Sequence, residues 1–319
     1  MSRALVTGGA GFIGSHLADR LLADGWDVTA FDNLATGRRE FLREADGHDA
    51  FRLIEGDVLE DAGALAEAVA GVDVVFHMAA NADVRRGPDD PRRDLEQNTM
   101  ATFNVLQAMR DAGVRRIVFA STGAVYGEPS VHPTPEDAPF PVQTSFYGTS
   151  KLAGEGLVAA FCEAYGMTGS IFRFVSILGG RYSHGHVFDF LKKLRKDPER
   201  LEVLGDGSQR KSYLHVDDCV GAILLALDRA GDGLNLFNLG NVEYCSVKDS
   251  VAWITSELGL SPRIEYTGGA RGWIGDSPFV FLDCARMHAL GWRPTVTVRD
   301  SVLDTVRWLR ANEWMLEAR

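Results

Sequence analysis

Tyr147 and Lys151 stand four positions apart in Tyr147-Gly148-Thr149-Ser150-Lys151, a spacing that puts both side chains on one face of a helix. A phenol with a pKa near ~10 is a poor base at neutral pH. A neighbouring ammonium favours the phenolate and is expected to lower that pKa toward the working range, which makes the pair a candidate general base. Taken alone the pattern is a common accident, a Tyr packed under a surface Lys. It gains force from Ser121-Thr122 at the end of the preceding strand-like run, where a hydroxyl can hold a substrate oxygen beside Tyr147.

A second constellation opens the chain. Thr7-Gly8-Gly9-Ala10-Gly11-Phe12-Ile13-Gly14 follows Ala4-Leu5-Val6 and begins a helical pattern, with Gly8, Gly11 and Gly14 spaced three apart. Glycines at that spacing allow a tight turn and close approach of a pyrophosphate, which the helix N-terminus then receives with free N–H groups. Asp32 lies 18 positions after Gly14, where a carboxylate accepts from adenosine ribose hydroxyls and repels a 2′-phosphate, so NAD is favoured over NADP. Arg38 and Arg39 are read as solvated rather than as phosphate ligands. Asp57-Val58 is placed to meet the adenine, with an ordinary turn Asp as the equal alternative. Cys162, Cys219, Cys245 and Cys284 form no CxxC pair and read as reduced interior thiols. His184 and His186 lack a third ligand at metal-site spacing, so no metal is expected.

These residues need a scaffold that aligns strand ends with helix starts. Strand candidates Ala4–Val6, Val28–Phe31, Phe51–Ile54, Val72–His77, Arg116–Ala120 and Ser170–Phe174 alternate with helical stretches. In the first helix Phe12, Ile13, Leu17, Leu21 and Leu22 are read as its buried side. Alternation of this kind predicts an α/β fold: a Rossmann-type doubly wound parallel sheet with a smaller C-terminal substrate-binding lobe. The expected division is 1–175 for the dinucleotide-binding domain, with 213–240 returning to it, and 176–212 plus 241–319 for the lobe. Glu128–Pro141 holds five of the eleven prolines and reads as a long loop over an active site.

Apolar residues at 45%, charged residues at 24% and 319 residues in all describe an ordinary globular chain. A net charge of −11 argues against nucleic acid and anionic membranes as partners. Apolar runs fall short of the ~18 residues of a membrane span, and no signal peptide is read at the start, so the cytoplasm is the expected location.

In order along the chain, TGGAGFIGSHL, FDNLATG, GDV, HMAA, Asn98, STGAVYG, YGTSK, GDGSQ and HVDD resemble the extended short-chain dehydrogenase/reductases, within them the nucleotide-sugar epimerase/dehydratase group. The resemblance implies that Tyr147 is the base, that Lys151 positions the nicotinamide ribose and that Thr122 hydrogen-bonds the sugar hydroxyl being oxidised. It adds Phe12, Ile13, Asn33, Ala79, Ala80, Asn98 and Phe174 to the cofactor contacts, and it implies homodimers formed through the helices that hold Asn98 and Lys151. Related 4,6-dehydratases carry Asp-Glu after the Thr, and related decarboxylases a Glu at the second position; this chain has Gly123-Ala124. What remains is a 4-epimerase of the EC 5.1.3 type acting on a UDP-hexose such as UDP-glucose or UDP-galactose through a transient 4-keto sugar.

For the sugar nucleotide the resemblance points to Ser176 in place of an Asn, to Arg210-Lys211-Ser212 in place of Thr-Arg-Asp, and to Arg271 for the diphosphate. Arg181, in a polar cluster with Tyr182, His184 and His186, could pair with a C6 carboxylate, which makes UDP-glucuronate the alternative substrate. Another nucleotide-sugar oxidoreductase and a non-catalytic NAD-binding sensor are the remaining alternatives.

Overall fold

A computed structural model describes residues 2–139, 142–273 and 275–317, without the side chain of Arg86. The chain divides into two compact units, the first comprising Met1–Val125, Ser145–Arg173 and Val220–Phe237, the second Tyr126–Thr144, Phe174–Cys219 and Asn238–Arg319.

The first unit is built on seven strands, β1 (Arg3–Thr7), β2 (Asp27–Asp32), β3 (Phe51–Glu55), β4 (Val74–His77), β5 (Arg116–Thr122), β6 (Thr168–Phe174) and β7 (Leu234–Leu239), in the order β7-β6-β5-β4-β1-β2-β3. β1 pairs in parallel with β2 and β4, β2 with β3, and β4 with β5. The order reverses at β1, whose neighbours are β2 and β4. In such sheets ligands bind outside the carboxyl ends of the strands at the reversal, where Thr7 and His77 stand. All four residues of β4 are buried, as expected of a central strand covered on both faces.

Helices α1 (Phe12–Ala23), α2 (Ala62–Val69), α3 (Ala101–Ala112) and α4 (Phe146–Tyr165) cover this sheet. The core under α2, α3 and α4 gathers Leu65, Val105, Met109, Phe119 and Val158. α4 carries both Tyr147 and Lys151. It begins where the Ser145 side chain accepts from the Gly148 amide at 3.0 Å and ends at the left-handed Gly166. In α1, Leu17, Leu21 and Leu22 are buried while Phe12 and Ile13 are only part-buried, a departure from the expected apolar side. Both occupy the first turn, beside the glycine loop rather than over the sheet.

The second unit consists of short pieces: parallel Ser176–Leu178 and Tyr213–His215, parallel Arg200–Val203 and Arg263–Tyr266, and a three-stranded sheet of Cys245–Ser246, Arg210–Lys211 and Phe279–Val280. The Pro-rich segment belongs here rather than with 1–175. Its Glu136 carboxylate accepts from the Asn238 amide at 2.9 Å, and the Asn238 side chain donates to the Thr134 and Asp283 carbonyls at 2.9 Å each.

Candidate active site

The glycine loop is set by backbone contacts that side chains would destroy. Gly8 has φ +69, and a Cβ there would lie 2.7 Å from the Ala79 nitrogen and 2.8 Å from its Cα. A Cβ on Gly14 would overlap the Gly8 carbonyl oxygen, to which the Gly11 amide already donates at 3.0 Å. The turn after β1 therefore lies against the Met78–Ala80 segment after β4. The first helical turn has no side-chain cap and no acidic residue, so its N–H groups keep the orientation and dipole that suit a pyrophosphate. This cradle fits a dinucleotide.

Asp32 ends β2, buried. Its carboxylate accepts from the Ala10 amide at 2.9 Å and from the Leu34 amide at 2.8 Å. Burial raises its pKa while those two bonds work against the rise. The group read as a ribose ligand thus also holds the glycine loop and the following turn, leaving its other lone pairs for hydroxyls. Replacing Asp32 by Ala strands two amides and is expected to cost about 1–3 kcal/mol of stability; an unchanged urea midpoint would contradict this. Asn33 donates to Asp57 at 2.6 Å, which ties the two turns together. Val58 is buried in the core and its carbonyl accepts from Asn104 at 3.0 Å, so its side chain serves packing. Arg39 pairs with Glu55. Arg38 is part-buried rather than solvated, its amide bonded to the Ala10 carbonyl at 2.9 Å.

Thr122, Tyr147 and Lys151 come together at the end of β5. The Tyr147 hydroxyl is hydrogen-bonded to the Thr122 side chain, whose oxygen also accepts from the Ala124 amide at 3.1 Å. Lys151 is 2% exposed, donates to the Ala120 carbonyl at 2.8 Å and lies 5.0 Å from the centre of the Phe119 ring. The sequence reading expects a lowered phenol; in the protein alone desolvation pushes Tyr147 up to about 12, the Thr122 bond opposing and Asp94 adding to the rise. Desolvation likewise pulls Lys151 down to about 7, against the pull of Glu155. Burial outweighs the mutual help expected of the two groups.

Asn98 sits in a π-helical turn, Leu95–Met100, a distortion common at functional sites. It donates to Ser150 at 2.9 Å, and the Asn81 amide donates to it at 2.8 Å. It therefore links the segment after β4 to α4. The sequence reading passed over several partners of these groups. His77 is bonded to Thr7 at 2.7 Å and Thr102 at 3.1 Å; burial pulls its pKa down to about 3, so it bridges as a neutral ring. Asp94, 1% exposed, accepts from Asn81 at 2.8 Å. Glu155 pairs with Arg173. Asp94, four before Asn98, and Glu155, four after Lys151, had spacings that could have drawn notice.

In the second unit, Ser176 is exposed and Phe174 is buried. Arg181 adopts a left-handed φ of 61. Tyr182 and His184 stack at 6.2 Å, while His186 turns to Ser250 at 2.9 Å. Arg210 lies 4.1 Å from the centre of the Phe279 ring. Lys211 is bound to the buried Asp276 at 2.6 Å and to the Ser277 carbonyl, and Arg271 pairs with Glu128. The cations expected at a diphosphate are present, but Lys211 and Arg271 already have carboxylate partners. Among the described residues no group of three or more His, Cys, Asp or Glu could hold a metal ion.

Residues 4–240 match the model of the NAD dependent epimerase/dehydratase family. A relative from Mycolicibacterium smegmatis named UDP-glucose 4-epimerase is 36% identical over 97% of this chain and 98% of its own length. Among solved structures, a UDP-galactose 4-epimerase is 40% identical with a TM-score of 0.86, covering 98% of this chain and 100% of that one. A UDP-glucuronic acid 4-epimerase from Bacillus cereus, in complex with UDP-glucuronic acid and NAD, is 27% identical with a TM-score of 0.89, covering 97% of this chain and 99% of that one.

Proposed function

The chain belongs to the NAD dependent epimerase/dehydratase family, and on that premise we propose that it is an NAD-dependent nucleotide-sugar 4-epimerase acting on a UDP-hexose of the UDP-glucose/UDP-galactose kind. The observation that carries this reading is the end of β5. Thr122 is bonded to Tyr147, and the Gly123-Ala124 that follows offers no carboxylate to expel water or direct a decarboxylation.

Thr122 and Tyr147 hold the sugar C4 hydroxyl between them, and Tyr147 takes its proton. Lys151, anchored on the Ala120 carbonyl, fixes the nicotinamide ribose and keeps a positive charge on the Tyr147 face of α4. Gly8, Gly11, Gly14 and Asp32 would hold NAD, which when bound would supply an acceptor and donor of hydride and a positive charge favouring the phenolate. Tyr147 returns its proton to the C4 oxygen after the sugar has presented its other face. No second acid is required.

A homodimer is part of the proposal. Leu95, Met100, Phe103, Phe146 and Tyr165, on α3, α4 and the turn before α3, are between 38% and 55% exposed. Phe103 packs edge-on against the buried Phe161, which adjoins Tyr165, so a row of aromatic rings runs from one helix to the other. Phe103→Glu is expected to sediment as a monomer; a dimer of undiminished affinity would remove this face from the interface. Four free, buried cysteines fit a reducing cytoplasm.

UDP-glucuronate is the second reading, favoured by Arg181 beside Tyr182 and His184, a guanidinium suited to a C6 carboxylate. Incubation with UDP-, GDP-, CDP- and dTDP-sugars, UDP-glucuronate included, followed by proton NMR at C4, tests both. Inversion of UDP-glucose or UDP-galactose is the expected outcome; inversion of UDP-glucuronate alone would select the second reading, and inversion of none would end both.

A further inference from the structure

Four consecutive residues at the end of β5 each meet α4 or its site. The Phe119 ring lies beside the Lys151 ammonium, the Ala120 carbonyl accepts from it, the Ser121 hydroxyl donates to Glu155 at 2.5 Å, and Thr122 bonds Tyr147. On α4 the matching residues are Tyr147, Lys151 and Glu155, spaced by four and so stacked on one face. Glu155 is 6% exposed. Arg173, from β6, closes on its carboxylate in a fork, Nε to Oε1 at 2.9 Å and Nη2 to Oε2 at 2.7 Å.

Resting on the epimerase reading, we infer that Glu155, clamped by Arg173 and Ser121, is a positioning residue that keeps the buried Lys151 ammonium charged and in register with Tyr147. A buried ammonium with one carbonyl and one ring for company needs a countercharge. Among the described residues, Glu155 is the one negative group that acts directly on Lys151. His77 from β4 faces Lys151 as a neutral ring, Arg173 from β6 is spent on Glu155, and Asp94 acts on Tyr147. Burial draws Lys151 toward neutrality near pH 7, and Glu155 opposes that draw. Ser121 and Arg173 fix the carboxylate, so its charge acts on Lys151 from one position.

The test is the pH dependence of kcat/KM for C4 inversion in the full-length protein loaded with NAD. Loss of the Lys151 proton sets the alkaline limb. Glu155→Gln is expected to move that limb acidward by about one pH unit or more, a tenfold change in the apparent acid constant. The ratio of wild-type to variant kcat/KM then shrinks as pH falls and Lys151 recharges. Glu155→Asp, which restores the charge, returns the limb toward its wild-type place even if the rate stays low. If the single variant does not fold, Glu155→Gln with Arg173→Met removes both buried charges together and is expected to shift the limb in the same direction. A loss of rate uniform across pH, with the limb unmoved, would overturn the inference while leaving the epimerase reading intact. Absence of C4 inversion in the wild-type protein would instead strike that reading.

Discussion

Tyr147→Phe lowers kcat for C4 inversion by roughly 10²–10⁴-fold, the span general-base removal commonly produces, and leaves bound NAD at its wild-type level. The substitution deletes one oxygen, the one bonded to Thr122, and keeps the ring that packs at the start of α4. The cofactor cradle is built from Gly8 and Gly11 in the turn between β1 and α1, Gly14 in α1 and Asp32 at the end of β2, away from the phenol oxygen. A half-buried phenol pushed up to about 12 holds its proton at neutral pH until positive charge arrives beside it, so the oxygen is useful only in the loaded protein. Turnover equal to wild type would remove Tyr147 from the chemistry.

Gly8→Ala abolishes NAD retention and, with it, turnover. An L-residue in the left-handed region costs roughly 1–2 kcal/mol by itself, and at Gly8, with φ +69, the new Cβ would also stand 2.7 Å from the Ala79 nitrogen. Backbone cannot yield as a side-chain tip can, so the turn after β1 and the segment after β4 must part, and the cradle opens. Gly113→Ala is the control: its φ is +73 but its Cβ would meet nothing within 4 Å. It should lose comparable backbone stability and keep its NAD. Nucleotide released by denaturation and quantified by chromatography reads both variants; full NAD content in Gly8→Ala would contradict the cradle.

The alternating strands and helices, the glycine turn and the meeting of Thr122, Tyr147 and Lys151 were legible because each rests on local periodicity or a fixed spacing. Electrostatic state was not. The Tyr147–Lys151 spacing forecasts mutual stabilisation, yet burial governs both groups, and burial depends on Phe119, Ala120 and the rest of the sheet. Pairings between distant segments leave no local pattern either. Arg173 finds Glu155 across 18 positions, and Lys211 finds Asp276 across 65, so Lys211 reads from sequence as an available cation when it is already neutralised. Phe12 and Ile13 mislead for the opposite reason: they fit the helical apolar stripe, but the stripe begins before the helix reaches the sheet.

The central claim is that one C4 hydrogen leaves the sugar and returns to it within a single binding event. UDP-galactose deuterated at C4, turned over by the protein in ordinary water, should yield UDP-glucose with the deuterium still at C4 and with no lasting NADH. Deuterium lost to solvent, or NADH accumulating in proportion to product, would contradict it.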